Sequence, residues 1–195
     1  MPGRIGSNLS LDTQIFSYFF CPIINDLSKL LYIEQKTFKI DRLEIVKDLF
    51  LFQCYTGLAY SDMALLTEKD VSLGIDGNKW IIIRRKKTDI RSVIPLLPIA
   101  LTILDKYSSE QRNNKLLPCY AIQKFNSYLQ EVADLCEIRK NLTSHVGRRT
   151  FATEVALANG VSIETISRIL GHSSTKITHQ YAVVTDMKVS EEMKQ

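Results

Sequence analysis

The sequence is poor in the residues that build metal sites and disulfide frameworks. It contains three histidines and four cysteines in 195 residues, and no two cysteines show a CxxC spacing. Cys54 and Cys136 fall within apolar helical patterns, which is typical of buried thiols in a reducing cytoplasm rather than of disulfides. We therefore expect neither a metal site nor a disulfide scaffold.

Long apolar runs are also missing. Stretches such as residues 16–21 and 49–52 are far shorter than the roughly 20 residues that a membrane span needs. The first ten residues lack the apolar segment of a secretory signal peptide. Because 45% of the residues are hydrophobic and 24% are charged, the composition is that of an ordinary globular protein. These features predict a cytoplasmic protein without a membrane segment.

Positive charge is modest overall but unevenly distributed. The net charge of +4 permits nucleic-acid binding without requiring it. Taken singly, a basic cluster is most simply explained as a solvated face, so other motifs must decide its meaning. The two clusters comprise Arg84, Arg85, Lys86, Lys87 and Arg91, and then Arg139, Lys140, Arg148 and Arg149.

Hydrophobic periodicity predicts a mainly α fold with one small antiparallel β-sheet. Asp41, followed three residues later by Glu44, is expected to cap a largely buried helix that ends at Gly57. Ser61 is expected to cap a short helix reaching Leu66. Further helices are predicted at 99–107, 121–136, 144–158, 163–170 and 175–182, with Ser162 as the cap before the fourth of these.

Residues 71–96 change to the period of β-strands. Short β-branched runs at 80–83 and 92–96 flank a polar connection and predict a β-hairpin, with a further strand at 71–73. Residues 1–25 are expected to be a separate N-terminal segment, either a packed helix or the remnant of an upstream domain. Residues 26–195 are expected to form one domain.

Three short motifs carry candidate chemistry. His145 and Arg148 lie three residues apart at a helix start, which places them on one face. His172 follows the helix-ending pair Leu170-Gly171, and Tyr181 stands nine residues later. Each motif alone is weak, since a loop histidine or a helical tyrosine is usually a packing residue. Their order and spacing together are far more specific.

This order and spacing resemble the tyrosine recombinase (phage integrase) family. The segment RRTFATEVALANGVSIETISRILGHSSTKITHQYA is similar to the second conserved box of that family, which ends in its nucleophile. Upstream, LFLFQCYTGLAYSDMALLTEKDV resembles the first box, and KTDIRSVIPL resembles the hairpin of the catalytic lysine. The resemblance extends from about Asp41 to Ala182.

The resemblance implies a catalytic domain that cleaves and rejoins DNA for a mobile element. Tyr181 would form a 3′-phosphotyrosine, which retains the phosphodiester energy and so needs no ATP, cofactor or metal. Duplex DNA would be the partner, and family complexes are homotetramers on their sites. By position, Lys87 would be the general acid, Arg148 would stabilise the transition state, His145 and His172 would assist by hydrogen bonding, and Asp62 would brace the site.

One position departs from the family pattern. The first-box arginine normally follows Thr-Gly-Leu, but here Ala59 follows Leu58. The sequence resembles a mobile-element branch of the family that lacks the same arginine and supplies one from the hairpin. We predict that Arg85 takes its place, because positions i and i+2 of a strand share a face and Arg85 would then project beside Lys87.

The remaining cations are predicted to contact DNA rather than the reacting phosphate. Arg84 and Lys86 should face away from Arg85, and Arg91 lies in the same basic cluster. Arg149 is expected to point away from the His145–Arg148 pair as a surface cation that can contact DNA.

An alternative function stays open at this point. The chain could be a degenerate integrase fragment that binds DNA without cleaving it, a possibility that Ala59 favours and that the intact motif residues oppose. The family usually carries an N-terminal clamp domain of about a hundred residues, whereas only some 40 residues precede the first box here. Weak, salt-sensitive DNA binding is therefore expected of this chain alone.

Overall fold

A computed structural model describes residues 27–108 and 114–181. The predictions for residues 1–25 and for Cys21 lie outside these residues. The last helix, predicted to run to Ala182, ends earlier, at His179. The predicted fold class, mainly α with a small antiparallel sheet, is confirmed. The helices are α1 Leu27–Gln35, α2 Asp41–Thr56, α3 Tyr60–Met63, α4 Pro98–Tyr107, α5 Ile122–Leu135, α6 Ser144–Thr150, α7 Ile163–Leu170 and α8 Thr175–His179.

Helix α2 forms the centre of the main core. Every residue from Leu49 to Thr56 is buried, because α4, α5 and α6 all pack against this helix. The predicted cap at Asp41 is wrong by one residue: Ile40 occupies the N-cap position, and Asp41 is the first helical residue. Glu44 instead accepts a hydrogen bond from the backbone N–H of Phe38 at 3.0 Å. Gly57 ends the helix in the left-handed conformation (φ 69°), as predicted.

Two other helix predictions need correction. The short helix α3 begins at Tyr60 with Ala59 as its N-cap, so Ser61 does not cap it, and it ends at Met63 rather than Leu66. The helix predicted at 144–158 keeps its α-helical hydrogen bonding only to Thr150. The chain then continues as a π-helical turn, Phe151–Ala156, and a 3₁₀ turn, Leu157–Asn159. The wider turn buries Phe151 and Ala152 in a second apolar cluster with α7.

The three strands are β1 Val71–Leu73, β2 Lys79–Arg84 and β3 Arg91–Pro95. They form an antiparallel sheet in the order β1-β2-β3, as the sequence predicts. Ile81 and Ile94 are paired across β2 and β3 and are fully buried, which attaches the hairpin to the core. The β2–β3 pairing ends at Arg84 opposite Arg91. Arg85 and Lys87 therefore lie in the turn, and the prediction that they share a strand is wrong.

The three cysteines of the described segments carry reduced thiols. Cys54 and Cys136 are buried, as predicted, and Cys119 is half-buried. Within residues 27–108 and 114–181, histidine, cysteine and carboxylate side chains form no group of three or more that could hold a metal ion. None of the helices in these segments is both long enough and apolar enough to cross a membrane.

Candidate active site

The predicted catalytic residues lie around one open cleft of about 530 Å³ between the β2–β3 turn, α6 and α8. Tyr181, Arg148, His145, His172, Lys87 and Arg85 all line it, although they come from three distant parts of the sequence. Ala59, Thr88, Arg149, Ile177 and Gln180 complete its wall.

The C-terminal end of α7 organises this cleft. Gly171 ends the helix in the left-handed conformation (φ 59°), and a Cβ there would lie 2.4 Å from Cδ of Arg85. Glycine is therefore required both by the backbone angle and by the close approach of the arginine. The free carbonyls at the helix end accept hydrogen bonds from the hairpin: Leu170 from Arg85 at 2.8 Å, and Gly171 from Thr88 at 3.4 Å.

Arg148 is a buried cation whose described partners are uncharged. Its guanidinium donates to the carbonyls of Gly57 and Leu170, the latter at 2.6 Å. A third contact joins it to Nε2 of His172 at 3.2 Å. Burial, followed by repulsion from Arg85, lowers the pKa of Arg148 to about 10. The group is still protonated at neutral pH, so the cleft presents a positive charge that no carboxylate within residues 27–108 and 114–181 contacts directly.

Arg85 is held beside Arg148 by a buried carboxylate. Asp62 accepts from Nε of Arg85 at 3.0 Å through one oxygen, and from the backbone N–H of Lys86 at 3.0 Å through the other. The side chains of Asp62 and Arg85 are only 3% and 9% exposed. Because both arginines donate to the carbonyl of Leu170, their guanidinium groups lie side by side. Such a pair of fork-shaped donors suits the nonbridging oxygens of a phosphate.

The phenol of Tyr181 and the imidazole of His172 line the same cleft as these cations. The ring centroids of His172 and Tyr181 are 6.3 Å apart. Burial first, and then Arg148 and Arg85, lower the pKa of His172 to about 4, so its ring is neutral at neutral pH. His145 and Lys87 are exposed at the rim of the cleft, where an incoming ligand can reach them.

The residues predicted to contact DNA divide into two groups. Arg84 and Lys86 line a separate small cavity of about 120 Å³ beside Asp62, and Arg84 pairs with Asp89 at 3.2 Å on the exposed surface. Arg91 is exposed at the start of β3. These three are not among the described residues that line the cleft.

Arg149 differs from its predicted orientation. It lines the cleft, and its Nε is buried without a hydrogen-bond partner among the described residues. The prediction that it points away from the His145–Arg148 pair is therefore wrong. The spacing already contained the signal, because Arg149 lies four residues after His145 and so shares its helix face. Thr88 and Gln180 lie within the segments that resemble the family, but no spacing or charge singled them out there.

A mainly helical domain in which the turn of a three-stranded sheet brings cations to a tyrosine-bearing cleft has the arrangement that the resemblance to the tyrosine recombinases implies. The comparison with known families agrees: the model of the phage integrase family matches residues 25–188, and the chain belongs to this family.

Individual relatives are distant. The tyrosine recombinase XerD of Listeria monocytogenes serotype 4b (strain F2365) is 29% identical over 154 residues, which cover 72% of this chain and 50% of XerD. This chain thus spans about half the length of the curated relative it matches. Among solved structures, the XerA recombinase superposes with a TM-score of 0.67 at 23% identity, covering 87% of this chain and 63% of XerA. The Tn1549 transposon integrase in complex with circular intermediate DNA gives 0.63 at 17% identity, with coverages of 96% and 70%.

Proposed function

We propose that this chain is the catalytic part of a site-specific recombinase. It cuts and rejoins duplex DNA through a covalent 3′-phosphotyrosine at Tyr181, during integration or excision of a mobile element. The observation that carries the proposal is the convergence of two buried guanidinium groups, a lysine and a tyrosine on one cleft. The cations match a phosphodiester, and the phenol supplies a nucleophile.

In the proposed step, the phenolic oxygen of Tyr181 forms a bond to phosphorus while the bond between phosphorus and the 5′-oxygen breaks. Arg148 and Arg85 stabilise the charge on the nonbridging oxygens, and Lys87 donates a proton to the leaving 5′-oxygen. Attack by the 5′-hydroxyl of another strand reverses these changes and rejoins the DNA. The exchange conserves the phosphodiester energy, so the scheme requires no cofactor.

The two cleft histidines assist at the nucleophile. His172 lies beside the ring of Tyr181, and His145 stands on the exposed edge of α6. Either imidazole can accept a hydrogen bond from the phenol and help to remove its proton. Asp62 acts indirectly, by fixing Arg85 and the backbone of the hairpin turn.

Duplex DNA is the proposed partner, with four copies of the protein assembled on the recombination sites as in its family. The Tn1549 transposon integrase, which shares the fold, is bound to a circular intermediate DNA in its structure. The hairpin cations Arg84, Lys86 and Arg91 are exposed, so they can reach phosphates on either side of the cleft.

Trapping of the covalent intermediate tests this function. The protein is incubated with a pool of nicked duplexes that contain a randomised segment, so that cleavage releases a short fragment and religation fails. We expect a protein–DNA adduct on a denaturing gel, and sequencing of the trapped DNA then gives the target. DNA binding without any adduct would instead support the alternative of a binding module that does not cleave.

Lys87→Ala should slow cleavage far more than it weakens DNA binding. A general acid typically contributes about 10²–10⁴-fold to a rate, and Lys87 stands exposed at the rim of the cleft. A substrate with the target sequence recovered from the adduct and a 5′-bridging phosphorothiolate should restore the cleavage rate of this variant, because a sulfur leaving group needs no proton. The matched control is Lys86→Ala, which removes a neighbouring exposed side chain outside the cleft. Slow cleavage of the phosphorothiolate would show that Lys87 has another role.

Binding to the trapped target should fall steeply with salt, because cations that contact phosphates release counterions. The logarithm of the binding constant changes by about −0.9 per phosphate contact for each unit in the logarithm of salt concentration. Arg149→Ala should reduce this slope by about one contact, since Arg149 faces the cleft. Arg139→Ala, at an exposed position outside the cleft wall, is the control. An unchanged slope for Arg149→Ala would remove Arg149 from the DNA interface.

A further inference from the structure

We propose that Thr178 is a positioning residue that fixes the tautomer of His172. Through its hydroxyl group, Thr178 holds the ring proton of His172 on Nδ1 and keeps Nε2 as a hydrogen-bond acceptor inside the cleft. The tautomer itself follows from contacts within this chain; only its catalytic consequence rests on the proposed function.

The hydrogen bonds of His172 determine which ring nitrogen carries the proton. Nε2 lies 3.2 Å from a terminal nitrogen of Arg148. A guanidinium group has only donors, so Nε2 must accept and cannot carry a proton. The neutral ring then bears its proton on Nδ1, which lies 2.8 Å from Oγ1 of Thr178. Thr178 is therefore the acceptor of that proton, and the opposite tautomer would set two donors against each other at Arg148.

Thr178 is placed so that it connects this histidine to the nucleophile. It lies on α8 with no exposed surface, and its carbonyl accepts from the backbone N–H of Tyr181 at 2.9 Å. The turn that carries the phenol and the orientation of the His172 ring thus depend on the same residue. The backbone N–H of His172 donates to the carbonyl oxygen of Ser167 at 3.0 Å, which fixes the histidine to the end of α7.

This arrangement gives His172 a defined chemical role. Burial and the two arginines keep its ring neutral at neutral pH, so its tautomer decides what the ring can do. With the proton on Nδ1, the lone pair of Nε2 faces the cleft and can accept a hydrogen bond from an arginine or from the phenol of Tyr181. With the proton on Nε2, the ring would repel the guanidinium group of Arg148 and could not accept from the phenol.

Two substitutions separate the hydroxyl group from the packing of the side chain. Thr178→Val keeps the branched shape but removes the acceptor, whereas Thr178→Ser keeps the hydroxyl group but loses a methyl group. The tautomer is read in the full chain, without DNA, from the ¹⁵N shifts of the histidine rings. The chain has three histidines, and His172→Gln identifies the signal of His172. Thr175→Val, at an exposed site on the same helix, is the control.

We expect His172 to carry its proton on Nδ1 in the wild type, in Thr178→Ser and in Thr175→Val. In Thr178→Val the N–H at Nδ1 loses its acceptor, so the population of this tautomer should fall even though Arg148 still favours it. Adduct formation should fall about tenfold in Thr178→Val and recover in Thr178→Ser. Loss of the group that orients a metal-bound histidine has an effect of similar or larger size. The reverse ranking, with valine tolerated and serine impaired, would show that Thr178 acts only by packing. A wild-type proton on Nε2 would overturn the proposal whether or not the protein cleaves DNA.

Discussion

Tyr181→Phe should abolish the covalent adduct while leaving folding and DNA binding intact. The substitution removes only the phenolic oxygen, and the ring still packs against the second apolar cluster around Phe151. Without that oxygen no bond to phosphorus can form, so the expected loss is complete. The measurement is the denaturing gel on the nicked pool, with binding followed separately by a mobility shift at low salt.

The control makes the same chemical change elsewhere. Tyr32 lies on α1 with 47% of its surface exposed, and Tyr32→Phe should form the adduct at the wild-type rate. An adduct that persists in Tyr181→Phe would assign the nucleophile to another residue and would contradict the proposed mechanism.

Arg85→Ala should reduce the cleavage rate by about 10²–10³-fold, the effect of removing one preorganised donor worth about 2.7–4 kcal/mol in a transition state. Arg85 is buried, lies beside Arg148 and faces a cleft whose wall includes Ala59, the position of the absent first-box arginine. Single-turnover cleavage of the trapped target measures the effect. Arg84→Ala, one residue earlier but outside the cleft, should cost only modest binding.

Loss of stability must be separated from loss of chemistry at this position. Arg85→Ala leaves the buried carboxylate of Asp62 without its ion-pair partner, which typically costs about 3–5 kcal/mol of folding stability. Thermal unfolding should therefore be measured for each variant, and cleavage compared well below the lowest midpoint. Arg85→Lys keeps the charge near Asp62 but not the fork, so it should fold better than Arg85→Ala and still cleave slowly. Equal and mild effects of Arg84→Ala and Arg85→Ala would remove Arg85 from the mechanism.

Elements with strong local signals were predictable from the sequence. Helix α7 begins after Ser162, whose hydroxyl group accepts a hydrogen bond from the backbone N–H of Thr165. It ends at Gly171, which adopts the left-handed backbone conformation. The hairpin and its neighbour strand follow from a change of hydrophobic period. The family motifs placed His145 and Tyr181 on one site because their spacing is specific even though each residue type is common.

Features that depend on tertiary packing were not predictable in this way. The π-helical turn at Phe151–Ala156 inserts one residue into a helix whose sequence still shows a helical period. Arg85 reaches the cleft not through strand alternation but because Asp62 and the carbonyl of Leu170 hold its side chain there. Thr178 lies only six residues from His172, yet its role depends on how α8 folds back against the end of α7.

The shared hydrogen-bond acceptor at Leu170 has a consequence for the energetics of the whole domain. Two guanidinium groups converge on one carbonyl, and Asp62 is the one carboxylate among the described residues that contacts either of them directly. The folded chain thus contains a repulsion that the unfolded chain lacks, and a bound phosphate relieves it. A ligand that binds only the native state raises its stability by an amount set by the ligand concentration relative to Kd. Binding of the proposed DNA partner should therefore raise the free energy of unfolding. The domain alone should unfold at a lower temperature than the domain with this proposed partner bound.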